Sequence, residues 1–140
     1  YYCYNTHTKE RREYPVVQFH DLTLTAREPV YQQIASHVKR QIFRRTAQDG
    51  DPIPSRREIA ATLAVNPNTV QKAFRLMEEE GFIRTNGNAG SVIFVDDAIL
   101  HRIDEELTRG MVEQFVQDAK DNGLSFPRVI SLIGELWEKD

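Results

Sequence analysis

Cysteine is nearly absent from this sequence: Cys3 is the only one in 140 residues. A lone thiol cannot close an intrachain disulfide, so the fold must rest on an apolar core, and the chain suits a reducing cytoplasm. Long apolar runs are also missing. No stretch approaches the roughly 18 apolar residues of a membrane span. Residues 1–14 are polar and aromatic and hold no apolar core of a secretory signal. His7, His20, His37 and His101 are scattered, with no i,i+4 pair and no cysteine beside them, so no metal site is expected. No nucleophile–base set and no phosphate-binding glycine loop is visible, so neither an enzyme nor a cofactor is expected. A net positive charge is missing too. The formal charge is −3, which taken whole argues against a nucleic-acid partner.

The distribution of charge reverses that last exclusion. Residues 29–95 carry nine Lys/Arg and six Asp/Glu, net +3. Residues 96–140 carry five basic and eleven acidic residues, net −6. Residues 1–28 are balanced. A basic middle and an acidic end imply two tasks on one chain. The length suits one domain with an appendage, or two small domains.

Residues 1–15 show no period and fit an arm, the remnant of a tag or a disordered start. The run VVQFHDLTL at 16–24 is rich in β-formers, which predicts a short strand within an N-terminal region 1–28. Pro29 suits the first turn of a helix. Val30, Ile34, Val38 and Ile42 then recur every four residues, so the first helix is expected to reach about Arg45. QDGDPIP at 48–54 must turn or run extended. Ser55 and Glu58 have capping-box spacing, which starts a second helix with Ile59, Ala60 and Leu63 inward. Asn66 and Pro67 start a third, with Val70, Phe74 and Met77 inward and Gly81 as its left-handed end. GFIRT and SVIFV, joined by NGNAG, read as a β-hairpin. From Asp96 the period is helical again. Ile99, Ile103, Leu107, Met111 and Phe115 form a stripe to about Ala119, Asn122-Gly123 breaks it, and Ser125 caps a last helix.

Helix, tight turn, helix over 55–80 is the helix-turn-helix arrangement, with Ala64 where a glycine is usual in the turn. A helix before the pair and a hairpin after it give the order of a winged helix. The fold class expected is therefore mainly α: a winged helix-turn-helix over 29–95 and a two-helix extension over 96–140. In such folds the start of the third helix enters the major groove. Asn68 and Gln71 can pair with adenine, and Lys72 can reach guanine or a phosphate. Unbonded N–H groups in that first turn would add an anion site.

The stretches PVYQQIASHVKRQI and GDPIPSRREIAATLAVNPNTVQKAFRLMEEEGFIRT closely resemble the DNA-binding domain of GntR-family transcriptional regulators. The resemblance runs from about Pro29 to Val95. IPSRREIA stands for the family's LPS-x-R-E-L-A core, and VNPNTVQKAF is most similar to the YtrA subfamily, which carries a two-helix C-terminal extension. AKDNGLS before the last helix fits too. The resemblance implies double-stranded DNA as partner and contacts from Arg57, Asn66, Asn68, Thr69, Gln71, Lys72 and Arg75. In the family's wing pattern R-G-x-G-[ST], Gly90 and Ser91 match. The arginine is absent and the first glycine stands at Gly87, leaving Asn86, Asn88 and backbone N–H groups to touch the groove edge.

A single winged helix reads few base pairs, and a twofold dimer on a palindromic operator doubles the contacts. The stripe Ile103, Leu107, Met111 and Phe115 and the stripe Leu132, Leu136 and Trp137 are the expected homodimer faces. The function expected is a cytoplasmic repressor. The alternative is a winged helix that binds protein instead of a specific DNA sequence, with the acidic tail as its contact. The tail is too short for a large effector domain. A small-molecule effector would have to sit between tail and DNA-binding domain, and no residue pattern names it.

Overall fold

The computed structural model describes residues 17–87 and 90–139, so the expectation for residues 1–15 falls outside it. Five helices and one hairpin follow in order: α1 (Val30–Phe43), α2 (Arg56–Leu63), α3 (Pro67–Glu80), β1 (Ile83–Thr85), β2 (Ser91–Ile93), α4 (Asp97–Asp121) and α5 (Phe126–Trp137). The chain divides into two compact units, one ending at Leu100 and one starting at His101. That division lies inside α4, a few residues beyond the boundary the charge pattern suggests.

The first unit is organised around α3. Its apolar side, Val70, Ala73, Phe74 and Met77, is fully enclosed. α3 lies against α1, α2 and β1. Ala73 has no side chain beyond Cβ, which lets the helices approach. Opposite it, α1 buries Ile34, Ala35, Val38 and Ile42. Each large apolar side chain buried this way contributes about 1.5–3 kcal/mol. α3 ends at Gly81, whose φ of 86° is open to glycine at no steric cost. The turn before α3 is less comfortable. Ala64 closes α2 at φ 53° and ψ 46°, the left-handed region that a side chain disfavours.

β1 and β2 pair antiparallel, Ile83 with Ile93 and Thr85 with Ser91. The 48–54 loop takes the extended option. Gly50 N–H donates to Ile93 O, Ile93 N–H to Asp51 O and Ile53 N–H to Ser91 O, all within 2.9 Å. The wing is thereby anchored by the segment ahead of α2.

Two local expectations fail. Residues 17–24 form no strand. Val17 and Phe19 are buried, but the backbone is held by side chains of α1. Gln41 accepts from Gln18 N–H and donates to Gln18 O, His37 Nε2 bonds Gln18 O, and Gln33 accepts from Thr25 N–H and donates to Thr25 O and Glu28 O. Gln33, His37 and Gln41 are four residues apart and line one helix face. This polar ladder supplies the hydrogen bonds that a partner strand would. Residues 17–28 are thus strapped to the first unit rather than forming a separate arm. Pro29 also stands just outside α1, as its N-cap.

In the second unit no residue of α5 is buried. Met111, Val112, Phe115 and Val116 of α4 are also exposed. Ile103 is the exception: at 0 % exposure it is already enclosed within its own chain. It therefore cannot belong to an open dimer stripe, which corrects the sequence expectation. Among the described residues no helix is long and apolar enough to cross a membrane.

Candidate nucleic-acid interface

Local chemistry fixes the start of α3. Asn66 Oδ1 accepts from Asn68 N–H at 2.8 Å, and Pro67 supplies the first-turn φ. Thr69 and Val70 N–H groups both donate to Asn66 O. Pro67 has no N–H, so the first turn keeps no unbonded donor. The expected anion site on these N–H groups is not formed; a phosphate there would need side chains. Asn66 itself spends its side-chain oxygen on the cap and acts on the interface by placing the helix.

The side of α3 opposite its buried stripe is polar. Asn68, Lys72 and Arg75 are exposed, and Thr69 and Gln71 are half-buried at its flanks. Positions 68, 71, 72 and 75 follow helical spacing, so they form one face. Lys72 Nζ lies 4.1 Å from the centre of the Tyr31 ring. This cation–π contact holds the ammonium at the edge of that face, beside the start of α1. Arg57 is exposed on α2.

The neighbouring Arg56 behaves differently. Its guanidinium stacks on Phe74, 4.5 Å from the ring centre, and lies 3.9 Å from Glu78 Oε1. Its Nε is enclosed without a hydrogen-bond partner among the described residues. A sequence signal for this existed: Arg56 precedes Ile59, Ala60 and Leu63 by three, four and seven residues, which is the inward face of α2. At the other end of α1, Lys39 is 7 % exposed and bonds Glu80 at 3.0 Å. The pair ties α1 to the end of α3.

The wing departs from expectation at one position. Gly90 is exposed at φ 80°, and Asn86 N–H donates to Gly90 O, closing the tip. Asn88 lies outside the described residues. Ser91 is only 4 % exposed, and its hydroxyl faces Thr85 Oγ1 at 2.8 Å. It is turned inward and cannot meet DNA with its side chain, which corrects the resemblance-based assignment. Arg84, on β1, stacks over Phe94 with its guanidinium carbon 3.4 Å from the ring centre. It is an exposed cation on the hairpin that the wing pattern did not single out.

Comparison with known proteins agrees with this architecture. Residues 30–93 match the bacterial regulatory proteins of the gntR family. The uncharacterized HTH-type transcriptional regulator YhcF of Bacillus subtilis is 36 % identical over 98 residues, covering 70 % of this chain and 81 % of that protein. The HTH-type transcriptional repressor YtrA of the same organism is 31 % identical over 110 residues, covering 77 % and 84 %. Among solved structures, a GntR family transcriptional regulator from Listeria monocytogenes superimposes with a TM-score of 0.70 at 26 % identity, covering 80 % of this chain and 98 % of that one.

Proposed function

The chain belongs to the GntR family of bacterial transcriptional regulators, a DNA-binding family and not one of enzymes, and from that premise we propose that it is a homodimeric repressor acting in the cytoplasm on a palindromic operator. The observation that carries the reading is the α3 face. Its cap and proline set the register, its apolar side is locked into the core, and Asn68, Gln71, Lys72 and Arg75 are left pointing away from it. Asn68 and Gln71 have the amides that read adenine edges, and Thr69 has a hydroxyl for base or backbone. Lys72, Arg75 and Arg57 neutralise phosphates or reach guanine. The exposed wing tip at Gly90 meets the flanking backbone. Repression is drawn from the relative named a repressor.

The second unit is read as the dimer element. An isolated amphipathic helix of 12 residues is marginal in water without tertiary cover. Met111 and Phe115 on α4, and Leu136 and Trp137 on α5, are 48–83 % exposed. Leu107 and Leu132 are half-buried. A second copy would cover these faces symmetrically. The net charge of −6 over residues 96–140 favours keeping this end of the chain off the DNA.

A gel shift against the upstream region of the protein's own gene, across a salt series, tests the reading. Replacing Arg57, Gln71 and Lys72 together with alanine should weaken binding by more than about 100-fold, since each good contact contributes about 1–3 kcal/mol. The salt slope should fall by about one for each phosphate that is no longer neutralised. Unchanged affinity in the triple variant would remove the residue assignment.

A further inference from the structure

The hairpin and the recognition helix are joined by a short directed chain of hydrogen bonds. Thr85 Oγ1 donates to Glu78 Oε1 at 2.6 Å. A threonine hydroxyl has one proton. The 2.8 Å contact between Thr85 and Ser91 must therefore run the other way, with Ser91 Oγ donating to Thr85 Oγ1. Glu78 Oε1 also faces the Arg56 guanidinium. The chain thus runs from β2 through β1 to a carboxylate on α3, with an α2 cation beside it. Thr85 and Ser91 are the last registered pair before the tip. Asn86 N–H to Gly90 O is the next bond outward.

Such a chain has a specific task here. Strands of three residues are too short to hold a hairpin by themselves. Arg84, the arginine of the hairpin, is drawn onto Phe94 instead of the tip, and the tip sequence 86–90 holds no arginine. What the described part of the tip can offer is backbone and the short amide of Asn86, and such contacts depend on where the tip sits. An O–H···O⁻ bond is short and about twice as strong as a neutral one. Here it ties a side chain of α3 directly to one of the hairpin. We propose that Glu78, Thr85 and Ser91 are positioning residues that set the wing tip against the recognition helix, so that α3 and wing meet one DNA duplex in a fixed spacing. This rests on the reading that the wing tip touches DNA.

The test uses the full chain and a duplex selected from a random library by the wild-type protein. Hydroxyl-radical footprinting separates central protections, from α3, and flanking ones, from the wing. Thr85→Val keeps the shape of the side chain and removes the donor; Thr85→Ser keeps the hydroxyl. Thr85→Val should lose the flanking protections, keep the central ones and lower affinity about tenfold, the scale of one hydrogen bond to a charged group. Its melting temperature should fall only modestly, because Ser91 Oγ loses its acceptor as well, and the Asn86 amide should exchange faster without DNA. Thr85→Ser should restore all of these. A Thr85→Val protein with an unaltered flanking footprint overturns the positioning role, as does equal weakening by Thr85→Ser. A wild-type footprint with no flanking protections instead removes the underlying reading of wing contact.

Discussion

Phe74 and Phe126 are both phenylalanines on amphipathic helices, yet Phe74 is 1 % exposed and Phe126 is 77 % exposed. The contrast extends to their whole regions. Around α3 the inward apolar positions are matched by others on α1, α2 or the hairpin, and the polar positions are left outside. On α5 the stripe is as well spaced, but nothing among the described residues buries it. The same 3.6-residue pattern thus means completed packing in one region and unfinished packing in the other. A pattern specifies that a face will be buried; only the neighbours specify by what.

The comparison breaks most easily at Phe74. Phe74→Ala opens a cavity in the enclosed region and removes the ring beneath Arg56, whose Nε already has no hydrogen-bond partner among the described residues. A loss of about 3–5 kcal/mol is expected in chemical denaturation. Phe126→Ala should cost under about 0.5 kcal/mol in a monomer, where that side chain is a surface position. The exposed region should respond to charge instead. Phe115→Asp with Leu136→Asp should leave the first unit folded, shift sedimentation from dimer to monomer, and weaken operator binding by roughly 100-fold, or about 2.7 kcal/mol. An unshifted sedimentation coefficient would place the dimer contact elsewhere.

A smaller effect is expected at the turn between α2 and α3. Ala64 sits at φ 53°, where a Cβ costs about 1–2 kcal/mol. Ala64→Gly relieves that strain, offset partly by greater freedom of the unfolded chain. A net gain of about 1 kcal/mol should appear as a higher melting temperature. Because the turn lies beside the recognition helix without altering its polar face, DNA affinity should stay level.

What was legible in the sequence was whatever local chemistry decides. Asn66-Pro67 reads as a helix start, Gly81 as a helix end, and GFIRT and SVIFV as paired strands; the structure has all three. The strand at 16–24 was misread because β-propensity reports a half-buried extended backbone, whereas the partner of this one is a set of amides and an imidazole on α1. Ser91 was misassigned for a related reason. A wing motif gives the order of residues, but the strand's alternation decides which side chain turns inward, and Ser91 shares its side with Ile93. Ile103 lies on a helical stripe that is enclosed at Ile103 and open at Met111 and Phe115. No period in the sequence marks that change of surroundings.

The strap at 17–28 offers the finest test of the contrast, because it is buried through polar contacts instead of apolar ones. His37 is at its centre: Nε2 is 2.8 Å from Gln18 O and 3.3 Å from Asp21 Oδ1, and the ring packs by Phe19. A carbonyl can only accept, so Nε2 carries a proton and Nδ1 is the free site of the neutral ring. Burial lowers the His37 pKa below 6.5; Arg40 lowers it further, while the Gln18 bond and Asp21 oppose the shift. A folded pKa below the unfolded one means that the unfolded chain takes up the proton first as pH falls. The contribution of His37 is therefore complete above about pH 6.5 and declines as pH falls below it. Melting temperature should drop between about pH 7.5 and pH 5.5, and the Gln18 amide, which donates to Gln41, should lose exchange protection before the amides of α3. His37→Gln keeps a donor for Gln18 O and removes the titration, so its stability should be flat across that interval. An equal decline in His37→Gln would assign the pH dependence to other groups and leave the strap as a purely structural element.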